Sequence, residues 1–212
     1  MKYAAFDVGN VLVNVDFQPF IDKLSRDLNI SVEEATYFMN RSQKLHDLGL
    51  TVMRDELIDH LKIKSSVLRD ELIGYWNHSI TAADWMLEKL DKLTTDHDVR
   101  VALLSNVGLE HAVRMKEILN YNGFFDKAVK HFSCEVGARK PTFLYYQSFL
   151  KMHSEWEGCP YIDDLQENLD TGAKFGFKTF RLSLVEITGP NYREEVFKST
   201  MDSLERFILQ DG

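Results

Sequence analysis

Short apolar runs alternate with amphipathic stretches along most of the chain. Two of these runs, residues 3–6 and 99–104, lack the polar alternation of a strand with one wet face, which is typical of strands buried on both faces in a parallel sheet. Two further short stretches, residues 160–162 and 178–182, are also predicted as strands, and residues 127–132 are a weak strand candidate. Because stretches with helical spacing separate the runs, the pattern predicts an α/β fold with a doubly wound parallel sheet. The predicted strands are residues 3–6, 99–104, 127–132, 160–162 and 178–182.

One long segment departs from this alternation, because helical spacing runs through it without an intervening strand. Within it, Ser31 and Glu34 have the spacing of a capping box at a helix start. Helices of this length are marginal alone, so they must pack on one another and on the rest of the chain. We therefore expect residues 16–79 to form a helical-bundle cap, inserted into an α/β core of residues 1–15 and 80–212. The helices predicted in the cap cover 17–28, the stretch from residue 31 onwards, 53–61 and 65–76.

Five more helices are predicted between and after the later strands. Pro141 suits the first turn of one of them, because a proline at that position sacrifices no intrahelical hydrogen bond. The expected ranges are 82–93, 109–119, 141–152, 166–175 and 193–209.

Polar residues with distinctive chemistry follow three of the predicted strands. Asp7 comes directly after the first strand, and a lone buried carboxylate costs several kcal/mol unless it has a partner. Ser105 and Asn106 end the second strand, and Asp163 and Asp164 end the fourth. Because ligands of open parallel sheets bind beyond the carboxyl ends of the strands, we expect these side chains to meet there.

Lys140, which lies just before a predicted helix, adds a cation to this set. Carboxylates, a hydroxyl and an ammonium group together suit phosphoryl transfer, in which negative charge must be neutralised while an oxygen nucleophile attacks. Attack by Asp7 would give an acyl phosphate that water then hydrolyses. Mg²⁺ prefers carboxylate and carbonyl oxygens, which this set supplies. The sequence therefore predicts magnesium-dependent phosphoryl chemistry with Asp7 as the nucleophile.

Four motifs in this order resemble those of the haloacid dehalogenase superfamily. They are residues 7–12 (DVGNVL), 103–106 (LLSN), 139–141 (RKP) and 162–168 (IDDLQEN). The resemblance spans the whole chain. It is greatest to the capped phosphatases of small sugar phosphates, a group that includes α-D-glucose-1-phosphate phosphatase. It implies a Rossmann-like core, an inserted cap, an aspartyl-phosphate intermediate and a Mg²⁺ cofactor.

The resemblance also implies roles for individual residues at the phosphoryl site. Asp7 is expected to be the nucleophile, with Ser105 and Lys140 binding the phosphoryl group. Asn10 and Asn106 are expected to contact the substrate.

The implied metal site lies beside these residues. Asp7, the carbonyl of Gly9 and Asp164 are expected to ligate Mg²⁺. Asp163 is expected next to them, either in the metal site or orienting Lys140 or a bound water.

One position departs from the pattern of the superfamily's phosphatases. Most of them carry a second aspartate two residues after the nucleophile as general acid and base, and this chain has Gly9 there. Such a group is worth roughly 10²–10⁴-fold in rate. Asn14 and Asp16 are possible substitutes.

In the cap, His46 and Asp47 lie in a segment similar to the loop that closes over substrate in capped relatives, so both are candidate specificity contacts.

Composition narrows the choice of partners. The 25 basic and 33 acidic residues give a formal charge of −8, and no basic stripe is present that could neutralise a row of phosphates. Two cysteines are too few for a disulfide framework or a zinc site, and no apolar stretch approaches the roughly 18 residues of a membrane span. We therefore expect a cytoplasmic monomer or homodimer that acts on a small phosphorylated metabolite, without nucleic acid or membrane partners.

Two alternatives to a phosphatase remain open on the sequence. In a 2-haloacid dehalogenase, Asp7 would attack carbon without Mg²⁺, and Gly9 is compatible with that chemistry. Against it, Asp163 and Asp164 would repel a haloacid carboxylate unless a metal neutralised them. The other alternative is a pseudo-phosphatase that binds phosphorylated ligands without turnover.

Overall fold

Five parallel strands form the central sheet. The structure, a computed structural model, describes residues 2–189 and 192–211. In chain order its strands are Lys2–Phe6 (β1), Val13–Val15 (β2), Ile80–Ala82 (β3), Val99–Ser105 (β4), Val129–Phe132 (β5), Pro160–Asp163 (β6) and Lys178–Arg181 (β7). The large sheet has the order β5-β4-β1-β6-β7, and each neighbouring pair is parallel. The predicted strands are thus confirmed, with ends shifted by one or two residues.

Helices cover both faces of this sheet. The longest is at the carboxyl end of the chain, and none of the described helices combines the length and apolar character needed to cross a membrane. The α-helices are Gln18–Leu28 (α1), Val32–His46 (α2), Met53–Asp55 (α3), Ser66–Asn77 (α4), Asp84–Thr95 (α5), Leu109–Leu119 (α6), Phe124–Lys127 (α7), Ser133–Val136 (α8), Phe143–Met152 (α9), Gln166–Lys174 (α10), Leu184–Thr188 (α11) and Glu194–Asp211 (α12).

Successive residues of the inner strands point to opposite faces of the sheet, and each face has its own core. In β1, Ala4 and Phe6 join one buried cluster with residues of α5, α6, α11 and α12. Ala5, between them, joins a second cluster with aromatic residues of α9 and with α10. Burial on both faces explains why this strand reads as an uninterrupted apolar run. The doubly wound α/β fold is confirmed.

The helical segment between β2 and β3 has a third buried cluster of its own. Phe20, Phe38, Leu57 and Trp76 belong to this cluster, together with other residues from α1 to α4. β2 and β3 pair antiparallel, so the chain enters and leaves the segment side by side. Strands of three residues carry too little pattern to be read from the sequence, and neither was predicted. We propose that this ribbon marks the boundary between the core and the cap of residues 16–79.

Local signals at helix ends have mixed outcomes. The Ser31 capping box is confirmed, because its hydroxyl accepts from Glu34 N at 3.1 Å and the Glu34 carboxylate accepts from Ser31 N at 2.9 Å. The helix predicted over 53–61 is instead the short α3 followed by a π-helical turn, Glu56–His60. Pro141 was wrongly placed in a first turn, since α9 begins two residues later behind Thr142, whose backbone is extended.

Candidate active site

The carboxyl edge of the sheet brings the predicted acids together where the strand connections diverge. The chain leaves β1 toward β4 on one side and leaves β6 toward β7 on the other, so a crevice opens between β1 and β6. Asp7 N donates to Ile162 O at 2.8 Å, which extends the β1–β6 pairing to the acid itself. Carboxylate oxygens of Asp7, Asp163 and Asp164 all lie within 4.8 Å of one another.

Lys140 bridges two of these carboxylates. Its Nζ lies 2.9 Å from Asp7 Oδ1 and 2.7 Å from Asp163 Oδ2, and the side chain is almost fully buried. Burial alone would lower the pKa of Lys140, but the Asp163 and Asp7 carboxylates outweigh it and raise the pKa above its ordinary value. The side chain is therefore a permanent cation between two acids.

Asn106 holds the backbone of Lys140 in place. Its Oδ1 accepts from Lys140 N at 2.8 Å, and its Nδ2 donates to Lys140 O at 2.9 Å. The amide at the end of β4 thus fixes the position of the lysine 34 residues later in the chain. Asn106 also borders the site's cavity, and its role as a substrate contact stays a prediction.

The carboxylate of Asp163 accepts hydrogen bonds from several groups inside the protein. Besides Lys140, its oxygens accept hydrogen bonds from Leu165 N at 2.9 Å, from the Tyr161 hydroxyl, and from Asn168 Nδ2 at 2.9 and 3.1 Å. A fully buried carboxylate with these donors has little capacity left for a metal ion. The arrangement favours Asp163 as the residue that orients Lys140.

The negative charges of Asp7 and Asp164 are not fully compensated by Lys140. Burial raises the pKa of Asp7 to about 7, with Lys140 opposing and the two other acids adding to the shift. Burial, together with Asp163, raises the pKa of Asp164 to about 6, although the Asn10 side chain bonds to it and lowers it in part. When all three acids are ionised, one ammonium group leaves two negative charges uncompensated, which matches a divalent cation.

The ligand set fits Mg²⁺ in kind as well as in charge. Asp7 and Asp164 offer carboxylate oxygens, and Gly9, which borders the same cavity, carries a backbone carbonyl that would be a further hard oxygen donor. A Cβ at position 9 would lie 3.3 Å from Val15 Cγ2, so a larger residue needs a small shift of that side chain. Asn10 supports the same loop through a left-handed backbone at φ 54° and accepts from Val15 N at 3.2 Å.

A cavity of about 240 Å³ lies between these residues and the helical cap. Ser105, buried at the end of β4, borders it with Asp7 and Lys140. Phe17 and Gln43 border it from the cap. A larger cavity of about 590 Å³ at the amino end of β4 contains none of the acid cluster.

Asp47 is the predicted cap residue that reaches the cavity. It directly follows α2, is almost fully buried, and lies with its Oδ2 2.7 Å from Nη2 of Arg139. Burial raises the pKa of Asp47 to about 6, although Arg139 and Lys140 oppose the shift. The cap loop is seated closely: Gly49 has φ 68°, and a Cβ there would lie 2.5 Å from the Cys134 carbonyl oxygen.

His46, the neighbouring prediction, is not among the described residues that border the cavity. Its ring packs edge-on against Trp76 with centroids 5.2 Å apart. Burial lowers its pKa to about 4. The structure therefore places His46 in the packing between cap and core.

Asn14 and Asp16, the possible substitutes for the missing acid, also lie elsewhere. Asn14 Nδ2 donates to Ala82 O at 3.1 Å in the β2–β3 ribbon. Asp16 is exposed and accepts from Gln18 N at 2.9 Å at the start of α1. Neither borders the described cavity, so the structure does not bring them to the nucleophile.

Several residues at the site were missed by sequence reasoning. Arg139 lies in the motif at residues 139–141 and Asn168 in the motif at residues 162–168, but neither residue was assigned a role from the sequence. Gln43 and His111 border the cavity from helices whose registers the sequence does not reveal. His111 stacks on Trp76 at 4.3 Å.

Comparison with known proteins places this fold. No family model matches the sequence, and no curated protein matches it either. Among solved structures, a HAD family enzyme from Bacteroides thetaiotaomicron has a TM-score of 0.72 at 22% identity, over 85% of this chain and 93% of that chain. Its wild-type complex with magnesium and inorganic phosphate has a TM-score of 0.70 at 19% identity, over 93% and 99%. A dehalogenase has a TM-score of 0.63 at 16% identity, over 99% and 97%. The chain therefore has the fold of the haloacid dehalogenase (HAD) enzymes, as its four motifs implied.

Proposed function

We propose that this chain is a magnesium-dependent phosphomonoesterase of the HAD superfamily. Its substrate would be a small phosphorylated metabolite such as a sugar phosphate. The observation that carries the proposal is the position of Lys140, which is held between Asp7 and Asp163 beside a third acid and borders the cavity. This arrangement supplies a nucleophile and a fixed cation at one place, as phosphoryl transfer requires.

In the proposed mechanism Asp7 attacks phosphorus with a carboxylate oxygen. Lys140 Nζ and the Ser105 hydroxyl donate to phosphoryl oxygens and hold the group in line. Asp163 keeps the ammonium group aimed, and Asn106 fixes its backbone. The P–O bond to the leaving alcohol breaks as the Asp7 ester forms, and water then cleaves that acyl phosphate.

Asp7, Asp164 and the Gly9 carbonyl would hold Mg²⁺. When bound, the ion would neutralise negative charge on the phosphoryl oxygens and on the two acids. The solved neighbour with magnesium and inorganic phosphate supports this assignment by analogy of fold.

The size and charge of the cavity support a small substrate. A volume of about 240 Å³ suits a metabolite better than a polymer, and the net charge of −8 disfavours nucleic acid.

Dehalogenation of a 2-haloacid is the second candidate, favoured by Gly9 and by the dehalogenase among the solved neighbours. It would bring a carboxylate substrate beside Asp164, which has no direct ion-pair partner among the described residues and only the nearby charge of Lys140 to oppose it. A pseudo-phosphatase is the third candidate.

Turnover assays separate the three candidates. The protein is incubated with glucose 1-phosphate and with 2-chloropropionate, each with Mg²⁺ or with EDTA. We expect phosphate release that EDTA abolishes and no chloride release. Chelator-insensitive chloride release would overturn the phosphatase assignment in favour of the dehalogenase, and a folded protein inactive on a broad phosphate panel with Mg²⁺ would indicate the pseudo-phosphatase.

A further inference from the structure

The proposed reaction needs a proton at a place where the loop after β1 supplies none. Breaking a P–O bond to a sugar or alkyl oxygen leaves an alkoxide, which is a poor leaving group unless an acid protonates it. Position 9 is glycine, and Asn14 and Asp16 make their hydrogen bonds outside the cavity. The inference below rests on the proposed function and names the missing proton donor.

The titratable side chains that border the described cavity narrow the choice to two. Asp7 is committed to attack on phosphorus, and Asp164 belongs to the metal position. Lys140 and Arg139 are permanent cations beside acids. The full set is Asp7, Asp47, His111, Arg139, Lys140 and Asp164, so Asp47 and His111 remain.

His111 is unsuited to giving a proton. Its Nε2 lies 3.0 Å from the Trp76 carbonyl oxygen, so that nitrogen must carry the hydrogen and donate it to the carbonyl. The ring is stacked on Trp76, and burial lowers its pKa to about 4. A neutral imidazole in this tautomer has no proton to give at Nδ1.

Asp47 has both the position and the proton affinity. It borders the cavity from the cap, opposite the acid cluster of the core. The charged and titratable groups that face it are Arg139 and Lys140 from the loop before α9 and Cys134 from α8, while His46 precedes it on α2. Burial outweighs the two cations and raises its pKa to about 6, so both protonation states are accessible near neutral pH.

We propose that Asp47 is the general acid and base of this enzyme, supplied by the cap in place of a residue at position 9. In the first step Asp47 gives its proton to the leaving oxygen. The P–O bond breaks with its electron pair on that oxygen while Asp7 forms its bond to phosphorus. In the second step Asp47 takes a proton from the attacking water, whose oxygen bonds to phosphorus as the Asp7 ester bond breaks. The sum is an alcohol and inorganic phosphate.

Arg139 fits this cycle as the positioning partner of the acid. Its guanidinium, 2.7 Å from Asp47 Oδ2, stabilises the carboxylate that remains after proton transfer. Because Asp47 is on the cap and Arg139 on the core, the acid is in place only when the cap is seated.

The test compares Asp47→Asn with wild type across leaving groups. Asn is nearly isosteric and carries no proton to give. We expect kcat/KM for glucose 1-phosphate to fall by about 10²–10⁴-fold. For 2,4-dinitrophenyl phosphate, whose leaving group needs no proton, we expect kcat/KM to change less than about tenfold. The ester on Asp7 should also accumulate in acid-quenched Asp47→Asn, because the water step lacks its base.

The matched control is Asp70→Asn, which breaks another cap carboxylate–arginine pair. Asp70 Oδ1 lies 3.0 Å from Arg54 Nη2 on the exposed surface. We expect it to leave kcat/KM for both substrates within about twofold of wild type, since exposed pairs contribute little.

Two outcomes would overturn the assignment of Asp47. An equal loss on both substrates would make Asp47 a binding or packing residue, and full activity on glucose 1-phosphate would exclude it from the reaction. Inactivity of the wild-type protein on every phosphate ester is a different result, because it removes the proposed function itself. Melting temperatures of both variants establish that the cap remains folded.

Discussion

The two walls of the cavity are built in opposite ways. On the core wall, Lys140 and Asp163 are enclosed in a network in which each charged atom has a partner. Where the core meets the cap, Arg139 Nε is buried without a hydrogen-bond partner among the described residues, and on the core wall the same is true of Asn168 Oδ1. A buried unpaired polar atom costs about 1–3 kcal/mol.

This difference matches what each wall has to recognise. Every phosphomonoester presents the same phosphoryl group, so under the proposed function a core wall that holds Lys140 between two acids suits all substrates. The leaving group varies, and the unpaired Arg139 Nε keeps hydrogen-bonding capacity free near the cap. Under the proposed function, the core wall would determine the reaction and the cap wall would set the specificity. The following predictions test this division.

The largest effect is expected at the nucleophile. Asp7→Asn replaces the attacking carboxylate with an amide, so turnover should fall by about 10⁴-fold or more. The fold should persist, because the amide can still accept from Val8 N, which now donates to Asp7 Oδ1 at 2.6 Å. Phosphate release and circular dichroism measure the two expectations. Substantial remaining activity would remove Asp7 as the nucleophile.

Loss of the buried cation should harm both rate and stability. Lys140→Met leaves Asp7 and Asp163 facing each other without compensation, which we expect to cost about 3 kcal/mol of unfolding free energy. The rate should fall by about 10²–10³-fold, as for loss of one oxyanion donor. Urea unfolding and steady-state kinetics measure these effects. Lys64→Met, at an exposed cap lysine, is the control and should change neither; a stable, active Lys140→Met protein would contradict the core network.

Removing the metal distinguishes the roles of the two adjacent acids, Asp163 and Asp164. Mg²⁺ at about 100 times its dissociation constant should add about 2.7 kcal/mol of stability, seen as a higher melting temperature than in EDTA. Asp164→Asn should lose this increment. Asp163→Asn should start from a lower melting temperature but keep the increment, because its oxygens are occupied within the protein. Loss of the increment in both variants would make Asp163 a ligand.

Asn106 distinguishes positioning from substrate contact. Asn106→Ala removes both hydrogen bonds to the Lys140 backbone. A positioning role predicts a fall in kcat of about tenfold with KM nearly unchanged, because each lost bond is worth about 1 kcal/mol. A rise in KM at constant kcat would instead favour the substrate contact expected from the sequence.

The last prediction concerns the pH dependence of stability at the contact between cap and core. Burial lowers the pKa of His111 to about 4, below the 6.5 of the unfolded chain. Between these values the unfolded state binds a proton that the folded state does not, so stability falls as the pH decreases from 6.5 toward 4. His111→Gln should remove this contribution. From pH 7 to pH 5, wild type should lose about 2 kcal/mol more than the variant in urea unfolding. Equal losses would show that His111 does not contribute.

Strong local signals account for what was predicted correctly. β1 and β4 are buried on both faces, so their apolar runs predicted strands directly. The Ser31 capping box depends only on two residues three positions apart. The helix predicted over 53–61 was wrong in form, because Leu61 N donates to Glu56 O, five residues earlier, in a π-helical turn. Glu56 is buried there and paired with Arg41. That pairing is a tertiary contact, so no local sequence pattern predicts it.

At the candidate site, too, the sequence predicted some features and could not predict others. The sequence predicted correctly that Asp7, Ser105 and Asp164 meet, because parallel strands bring their carboxyl ends to one edge, and Lys140 borders the same cavity. The sequence could not tell that Asp163 faces inward to Lys140 while Asp164 faces the cavity, since adjacent residues differ only in the direction of their side chains.

By itself the sequence determined the alternation of buried strands and helices, the inserted helical segment and the edge at which the acids collect. These follow from periodicity and chain order, which are local properties. Only the tertiary structure decided that Asp47 meets Arg139 across the cavity while His46 turns away toward Trp76. That choice depends on how the cap docks on the core, because contacts between residues about 90 positions apart are set by packing that no single stretch of sequence encodes.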